Sequence, residues 1–172
     1  YSIYFDPYDA LAKPIPENKS VINNSDFIVD SLLHTTAGTG TDRYQRAQVY
    51  VSGSKGGVSL LGNTFNFTAS EITPDNRGDA ICVNDSKFSI KPSLAESPVI
   101  SDFLYGVRAF TGSTSSRLIY ISECNFTDNY YGVSINNYLA PQVILNNFET
   151  DLSIYFSFPT TIIPTALYLN AC

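Results

Sequence analysis

The chain is poor in charge. Only 15% of its 172 residues are Asp, Glu, Lys or Arg, against roughly a quarter in an ordinary soluble domain. No two basic residues are adjacent and the net charge is −6, so a phosphate backbone finds no electrostatic footing and nucleic acid is excluded as a partner. No apolar run approaches the roughly 20 residues of a membrane-spanning helix. Tryptophan and methionine are absent, and His34 is the single histidine. The three cysteines, Cys82, Cys124 and Cys172, are far apart with no Cys-x-x-Cys spacing. That argues against a metal site or disulfide framework and for thiols acting as small hydrophobes, with one bridge and a leftover thiol as the alternative. No cofactor or metal is expected. A chain without Met that opens on Tyr1 and stops at Cys172 is expected to be a segment of a longer repeat protein.

In place of charge stand 14 Asn and 34 Ser plus Thr. Short runs of Val, Ile, Leu, Tyr and Phe alternate with polar residues and are bounded by Gly, Asn, Asp or Ser, the pattern of strands. A single helical turn at Tyr8 to Leu11, ended by Pro14 and Pro16, is the only helical signal. The fold class is all-β.

The strands repeat. Val21 to Asn24 precedes Phe27, Val58 to Asn63 precedes Phe65, and Ile81 to Asn84 precedes Phe88. Ile119 to Asn125 leads to Phe126, and Val143 to Asn147 to Phe148. Successive phenylalanines alternate between a long step (Phe27 to Phe65, Phe88 to Phe126) and a short one (Phe65 to Phe88, Phe126 to Phe148). A small residue also opens a strand at Gly57, Ala80, Gly106, Gly132 and Ala166, and the steps from Ala80 to Gly106 and from Gly106 to Gly132 are equal. Units of about 22 to 26 residues are coils of a parallel solenoid, because a strand this short buries its inner face only by stacking on copies of itself. The longer steps hold insertions, expected at His34 to Arg46 and at Lys91 to Asp102. Phe65, Phe88, Phe126 and Phe148 are expected to stack in one column. The corner Asn residues are expected to adopt left-handed conformations and to bond one another in a ladder. Residues 1–172 form one β-helix segment, with less regular leading coils over 1–47 and clear coils over 48–172.

Gly57-Val-Ser-Leu-Leu-Gly-Asn-Thr-Phe65, Leu118-Ile-Tyr-Ile-Ser-Glu-Cys-Asn-Phe126 and Gly132-Val-Ser-Ile-Asn-Asn137 resemble coils of right-handed parallel β-helix proteins. More narrowly, they resemble coils of large secreted surface proteins of Bacteroidota over residues 48 to 172. The resemblance implies an extracellular, cell-surface protein exported across the outer membrane by the type IX secretion system. It also implies contacts with the outer-membrane secretion machinery, or with other chains, at an open coil end.

Chemistry is thinly signalled. Asp128 and Asp151 follow their Asn-Phe corners by two and three residues, which places both on one face, one coil apart, as the carboxylate candidates for glycoside hydrolysis. Arg108, with Arg117, is the candidate base for a lyase acting on uronic acids. Arg77-Gly78-Asp79 spells an adhesion tripeptide but reads better as the turn into a strand. Five Asn-x-Ser/Thr sequons, at Asn18, Asn23, Asn66, Asn84 and Asn125, coincide largely with repeat corners. Asp30-Ser31-Leu32 resembles a Bacteroidota O-glycosylation pattern and makes Ser31 the glycan-attachment candidate. Tyrosines on or beside strands (Tyr105, Tyr120, Tyr130, Tyr131, Tyr138, Tyr155 and Tyr168) offer a sugar-stacking surface if they face outward. The expected function is a non-catalytic structural or adhesive module that contacts polysaccharide. The alternative is a β-helix polysaccharide lyase or glycoside hydrolase.

Overall fold

The computed structural model describes residues 3–5, 20–29, 47–68, 77–151 and 164–172. Within them the chain winds as a right-handed parallel β-helix of three sheets. The leading coil carries β1 (Ile3–Phe5), β2 (Ser20–Asn23) and β3 (Asp26–Val29). The second carries β4 (Val49–Ser52), β5 (Val58–Leu61) and β6 (Thr64–Phe67), the third β7 (Asp79–Asn84), β8 (Phe88–Lys91) and β9 (Val99–Ser101). The fourth carries β10 (Tyr105–Ser115), β11 (Ile119–Ser122) and β12 (Asn125–Thr127), and the fifth β13 (Tyr131–Tyr138), β14 (Gln142–Ile144) and β15 (Asn147–Glu149). A last strand, β16 (Thr165–Asn170), lies on β13. Sheet A stacks β1-β4-β7-β10-β13-β16, sheet B β2-β5-β8-β11-β14, and sheet C β3-β6-β9-β12-β15.

Parallel, in-register pairing turns each inward position into a column. Val49, Ile81, Val107 and Val133 align in sheet A, and Leu60, Ile90 and Ile121 in sheet B, all fully buried. Burying each such side chain contributes about 1.5–3 kcal/mol. The aromatic column in sheet C is Phe27, Phe65, Ile100, Phe126, Phe148. Phe27 stacks on Phe65 at 4.6 Å and Phe126 on Phe148 at 4.9 Å.

Phe88 does not belong to that column. It aligns with Val58 and Ile119 in sheet B, because the strand before it, Ile81 to Asn84, belongs to sheet A rather than to the sheet that precedes an Asn-Phe corner. The short step from Phe65 to Phe88 therefore changes sheets instead of completing a coil. Ile100, inside the stretch expected to be an insertion, is the true member; the extra length there is confined to residues 92–98. The insertion expected at His34 to Arg46 lies outside the described residues, as does the helical turn at Tyr8. An excursion absent from the sequence reading is found at 111–114, where β10 overruns the corner and re-joins β13 at Ser115. The steps from Ile100 to Phe126 and from Phe126 to Phe148 each complete one coil and keep the short repeat.

The small residues have a specific cause. Ala80, Gly106, Gly132 and Ala166 stack at the start of sheet A, where strand alternation breaks and two successive residues face inward. A Cβ on Gly106 would lie 2.8 Å from the Phe126 ring, and one on Gly132 2.6 Å from Phe148. In the coil where the column residue is the slimmer Ile100, the same position holds Ala80. Gly57 instead precedes sheet B and is not part of this column.

Most of the described turns use a residue at positive φ, the β8–β9 and β10–β11 turns being the exceptions. Between sheets A and B these are Gly53, Gly57, Asp85, Asn137 and Ala140, with Ala171 at the equivalent position after β16; between B and C, Asn24, Gly62, Glu123 and Leu145; between C and A, Asp102 and Asp128. Asn, Asp and Gly suit that conformation, which costs other L-residues roughly 1–2 kcal/mol. The corner amides do not form the expected side-chain ladder. Asn129 accepts the Phe103 N–H (3.0 Å) and donates to the Ile100 carbonyl (2.7 Å). Asn146 repeats this one corner on, accepting from Cys124 N–H (2.9 Å) and donating to Ile121 O (3.1 Å). Each amide thus closes the backbone of the coil before it. Asn63 is buried at the corner position of Asn146, yet both its amide atoms lack a partner among the described residues.

This contrast is testable. Asn129→Leu is expected to destabilise the fold by about 2–4 kcal/mol, since two backbone groups lose their partners, whereas Asn63→Leu removes only unpaired atoms and is expected to be neutral or stabilising. Urea unfolding of the two variants measures the difference.

Candidate functional site

Sheet A presents the most concentrated chemistry on its outer face. The kink at Gly106 turns Tyr105 and Arg108 out together, and Asp79 and Cys82 occupy the same positions one coil earlier. Arg108 reaches back to Asp79 with an Nη2–Oδ2 separation of 2.6 Å and lies 3.9 Å from Cys82 Sγ. Its guanidinium sits over the rings of Tyr105 (5.1 Å) and Phe110 (5.7 Å), placing the cation against two aromatic faces. Asp79 is 3% exposed, and burial pushes its carboxyl up to about 6 against the opposing pull of Arg108. Burial, reinforced by Asp79, pushes the Cys82 thiol up to about 12. Burial does the same to Cys124. Both thiols are therefore inert small hydrophobes, while Cys172 is exposed.

Asp128 and Asp151 do lie one coil apart at the corner between sheets C and A, and the Asp151 N–H donates to Asp128 Oδ1 at 2.6 Å. Asp128 occupies a left-handed corner position, φ 54°. Arg108 is in the middle of sheet A, away from that corner, so the sequence candidates divide between two places. Arg77 is buried, bonds the Asp102 carbonyl at 2.9 Å and carboxylate at 3.3 Å, and covers the Phe67 ring. With Asp79 also buried, Arg77-Gly78-Asp79 presents no accessible adhesion tripeptide. Arg117 pairs with Asp85 at 3.3 Å. Ser31, His34 and Tyr155 lie outside the described residues. Among the described residues no three His, Cys, Asp or Glu gather to hold a metal ion, and no helix is long and apolar enough to cross a membrane.

The tyrosines divide as well. Tyr130 and Tyr138 are buried. The Tyr138 hydroxyl accepts the Ser86 N–H (3.0 Å), and the Ser86 hydroxyl in turn accepts the Ser54 N–H (2.9 Å), bridging the gap left by the 111–114 excursion. Tyr105 and Tyr131 stack on each other at 4.6 Å, as Tyr4 and Tyr50 do at 5.4 Å. Rings stacked along the helix axis spend their faces on one another and turn edges and hydroxyls outward.

One arrangement had no sequence signal. Asn24, Asp26, Thr64, Glu96, Ser97, Val99 and Asn125, drawn from four coils, line an open polar groove of about 530 Å³ beneath the 92–98 loop. Its two carboxylates, Asp26 and Glu96, are distant in the chain, and only the register brings them together.

The Asp79 carboxyl sets a pH dependence. A carboxyl raised from 3.8 to about 6 on folding stabilises the fold in its protonated state, and that stability is lost as pH rises from about 4 to 6, by roughly 3 kcal/mol. Unfolding free energies measured across this window are expected to fall for the parent chain and to flatten for Asp79→Asn, with Asp102, also raised by burial against Arg77, leaving a smaller slope of the same sign. Compared with protein-family models, curated proteins and solved structures, the chain matches none.

Proposed function

We propose that this chain is a non-catalytic structural and adhesive module, a stiff β-helix shaft of a large secreted cell-surface protein. The observation that carries the reading is that the sequence's arginine candidates and Asp128 are engaged within the chain itself. Arg108 is held by Asp79, Arg77 by Asp102 and Arg117 by Asp85, and Asp128 accepts the Asp151 amide. Buried thiols pushed up to about 12 supply no nucleophile. Glycan contact on this reading runs over the outer face of sheet A, where Tyr4 and Tyr168, about half exposed, end one column and Tyr105 and Tyr131 stack in another, three residues earlier in their strands. The coil pattern of residues 48 to 172 supports export by the type IX system of a Bacteroidota cell. Contact with the outer-membrane secretion machinery or another chain is proposed at β16, whose inward-facing positions Leu167 and Leu169 are 41% and 48% exposed.

A carbohydrate-active enzyme is the second reading, and the groove holding Asp26 and Glu96 is the observation that favours it, since glycoside hydrolysis works with two carboxylates across one sugar. The test is incubation of the chain with a panel of neutral and acidic polysaccharides. The module reading expects retention on some of them with no new reducing ends and no unsaturated products. Release of reducing ends that disappears in Asp26→Asn or Glu96→Gln would replace the module with a hydrolase, and release that disappears in Asp128→Asn or Arg108→Gln would restore the sequence candidates.

A further inference from the structure

We propose that the outer face of sheet B carries a docking groove for an extended peptide of the pattern acidic–x–apolar–x–acidic. The inference is independent of the glycan reading and starts from the cations. Among the described residues Arg77, Arg108 and Arg117 each face an aspartate, whereas Lys87 and Lys91 form no ion pair. In a chain of net charge −6, two unpaired ammonium groups flank one shallow cleft of about 140 Å³. That is close to the roughly 150 Å³ that holds a single benzene-sized ring.

The strand period builds the groove. Lys87, just before β8, and Ser89 and Lys91 within it alternate with the buried Phe88 and Ile90, so all three face outward, with the two lysines about 13 Å apart at roughly 3.3 Å per residue. Tyr120 of the following coil aligns with Ser89 and, with Leu118, supplies apolar lining. Gly57 of the preceding coil, at φ +95°, keeps the near end open, because a side chain there would meet the Lys87 stem at 3.1 Å.

The occupant follows from geometry and polarity. A peptide lying extended across the face has the same repeat as β8, so acidic side chains at positions i−2 and i+2 are also about 13 Å apart and meet both lysines while the side chain at i fills the cleft. A polyol would need several hydrogen-bonding groups in the floor, where Gly57, Val58, Phe88 and Leu118 offer no side-chain polar atom and the Ser89 hydroxyl already shares one bond with Ser59 Oγ at 2.7 Å. The groove therefore favours an apolar ring or aliphatic group between two carboxylates.

Fluorescence anisotropy with the full chain and a fluorescein-labelled, end-blocked peptide, Gly-Glu-Thr-Phe-Thr-Glu-Gly, tests the proposal. Saturable binding is expected, weakened about tenfold by Lys87→Gln with Lys91→Gln, since two exposed charge pairs are lost. Similar losses are expected in high salt and for a peptide whose glutamates directly flank the phenylalanine. Both lysines are exposed, so the doubly substituted chain is expected to keep the parent melting curve. Absence of binding, or equal affinity for the two glutamate spacings, would overturn the proposal. So would an acidic oligosaccharide that binds more tightly than the peptide and loses its binding in the same variant.

Discussion

Each strand of this molecule is hydrogen-bonded to the equivalent strand one coil away, parallel and in register, and that pairing governs the rest. A position in one coil faces the same position in the next, so every local problem recurs down a column and must be solved with compatible chemistry each time. Inward columns become aliphatic or aromatic. Like charges at the coil spacing would repel, and the described arginines instead face aspartates contributed by a different coil. The low charge of the chain suits such a stack.

Corners show the same constraint from the backbone side. A three-sheet coil needs three turns, and left-handed residues supply most of the described ones at positions that stack. Buried turns also strand backbone groups of the neighbouring coil, and Asn129 and Asn146 satisfy these with one amide each, accepting an N–H and donating to the carbonyl three residues earlier. The Asn content therefore serves two purposes, a left-handed dihedral at Asn24 and Asn137 and closure of neighbouring backbone at Asn129 and Asn146. Where a long excursion breaks the stack, at 111–114, a tyrosine hydroxyl spans two coils to restore the bond at Ser86.

The fold class, the solenoid, the short coil length and most of the phenylalanine column are legible in the sequence because they repeat in one dimension. The place of Phe88 is not, because an isoleucine can occupy an aromatic column and a phenylalanine an aliphatic one, so residue type alone does not mark the sheet. The small residues at Ala80, Gly106 and Gly132 were legible as a motif, but their cause, a doubled inward position opposite a ring, needs the coil closed in space. Candidate sites were less legible still. The proximity of Asp128 and Asp151 is legible by counting from their corners, whereas Asp26 and Glu96 share a groove, and Asp79 and Arg108 pair, only through stacking of distant segments. A register that carries insertions of unequal length erases that proximity from the sequence.

Every column, corner and cleft described above depends on that register. Strands β5 and β8 pair Ser59 with Ser89 one coil apart, with their hydroxyls separated by 2.7 Å. In-register neighbours lie about 4.8 Å apart along the stack, inside the Cα separation a disulfide accepts. The most direct measurement is oxidation of a chain carrying Ser59→Cys and Ser89→Cys, with Cys172→Ser to remove the exposed thiol, followed by mapping of the linked peptides. Parallel in-register stacking predicts rapid, near-complete formation of the Ser59→Cys to Ser89→Cys bridge without loss of the folded signal. A folded chain that leaves both introduced thiols reduced, or joins either to Cys82 or Cys124, would contradict it.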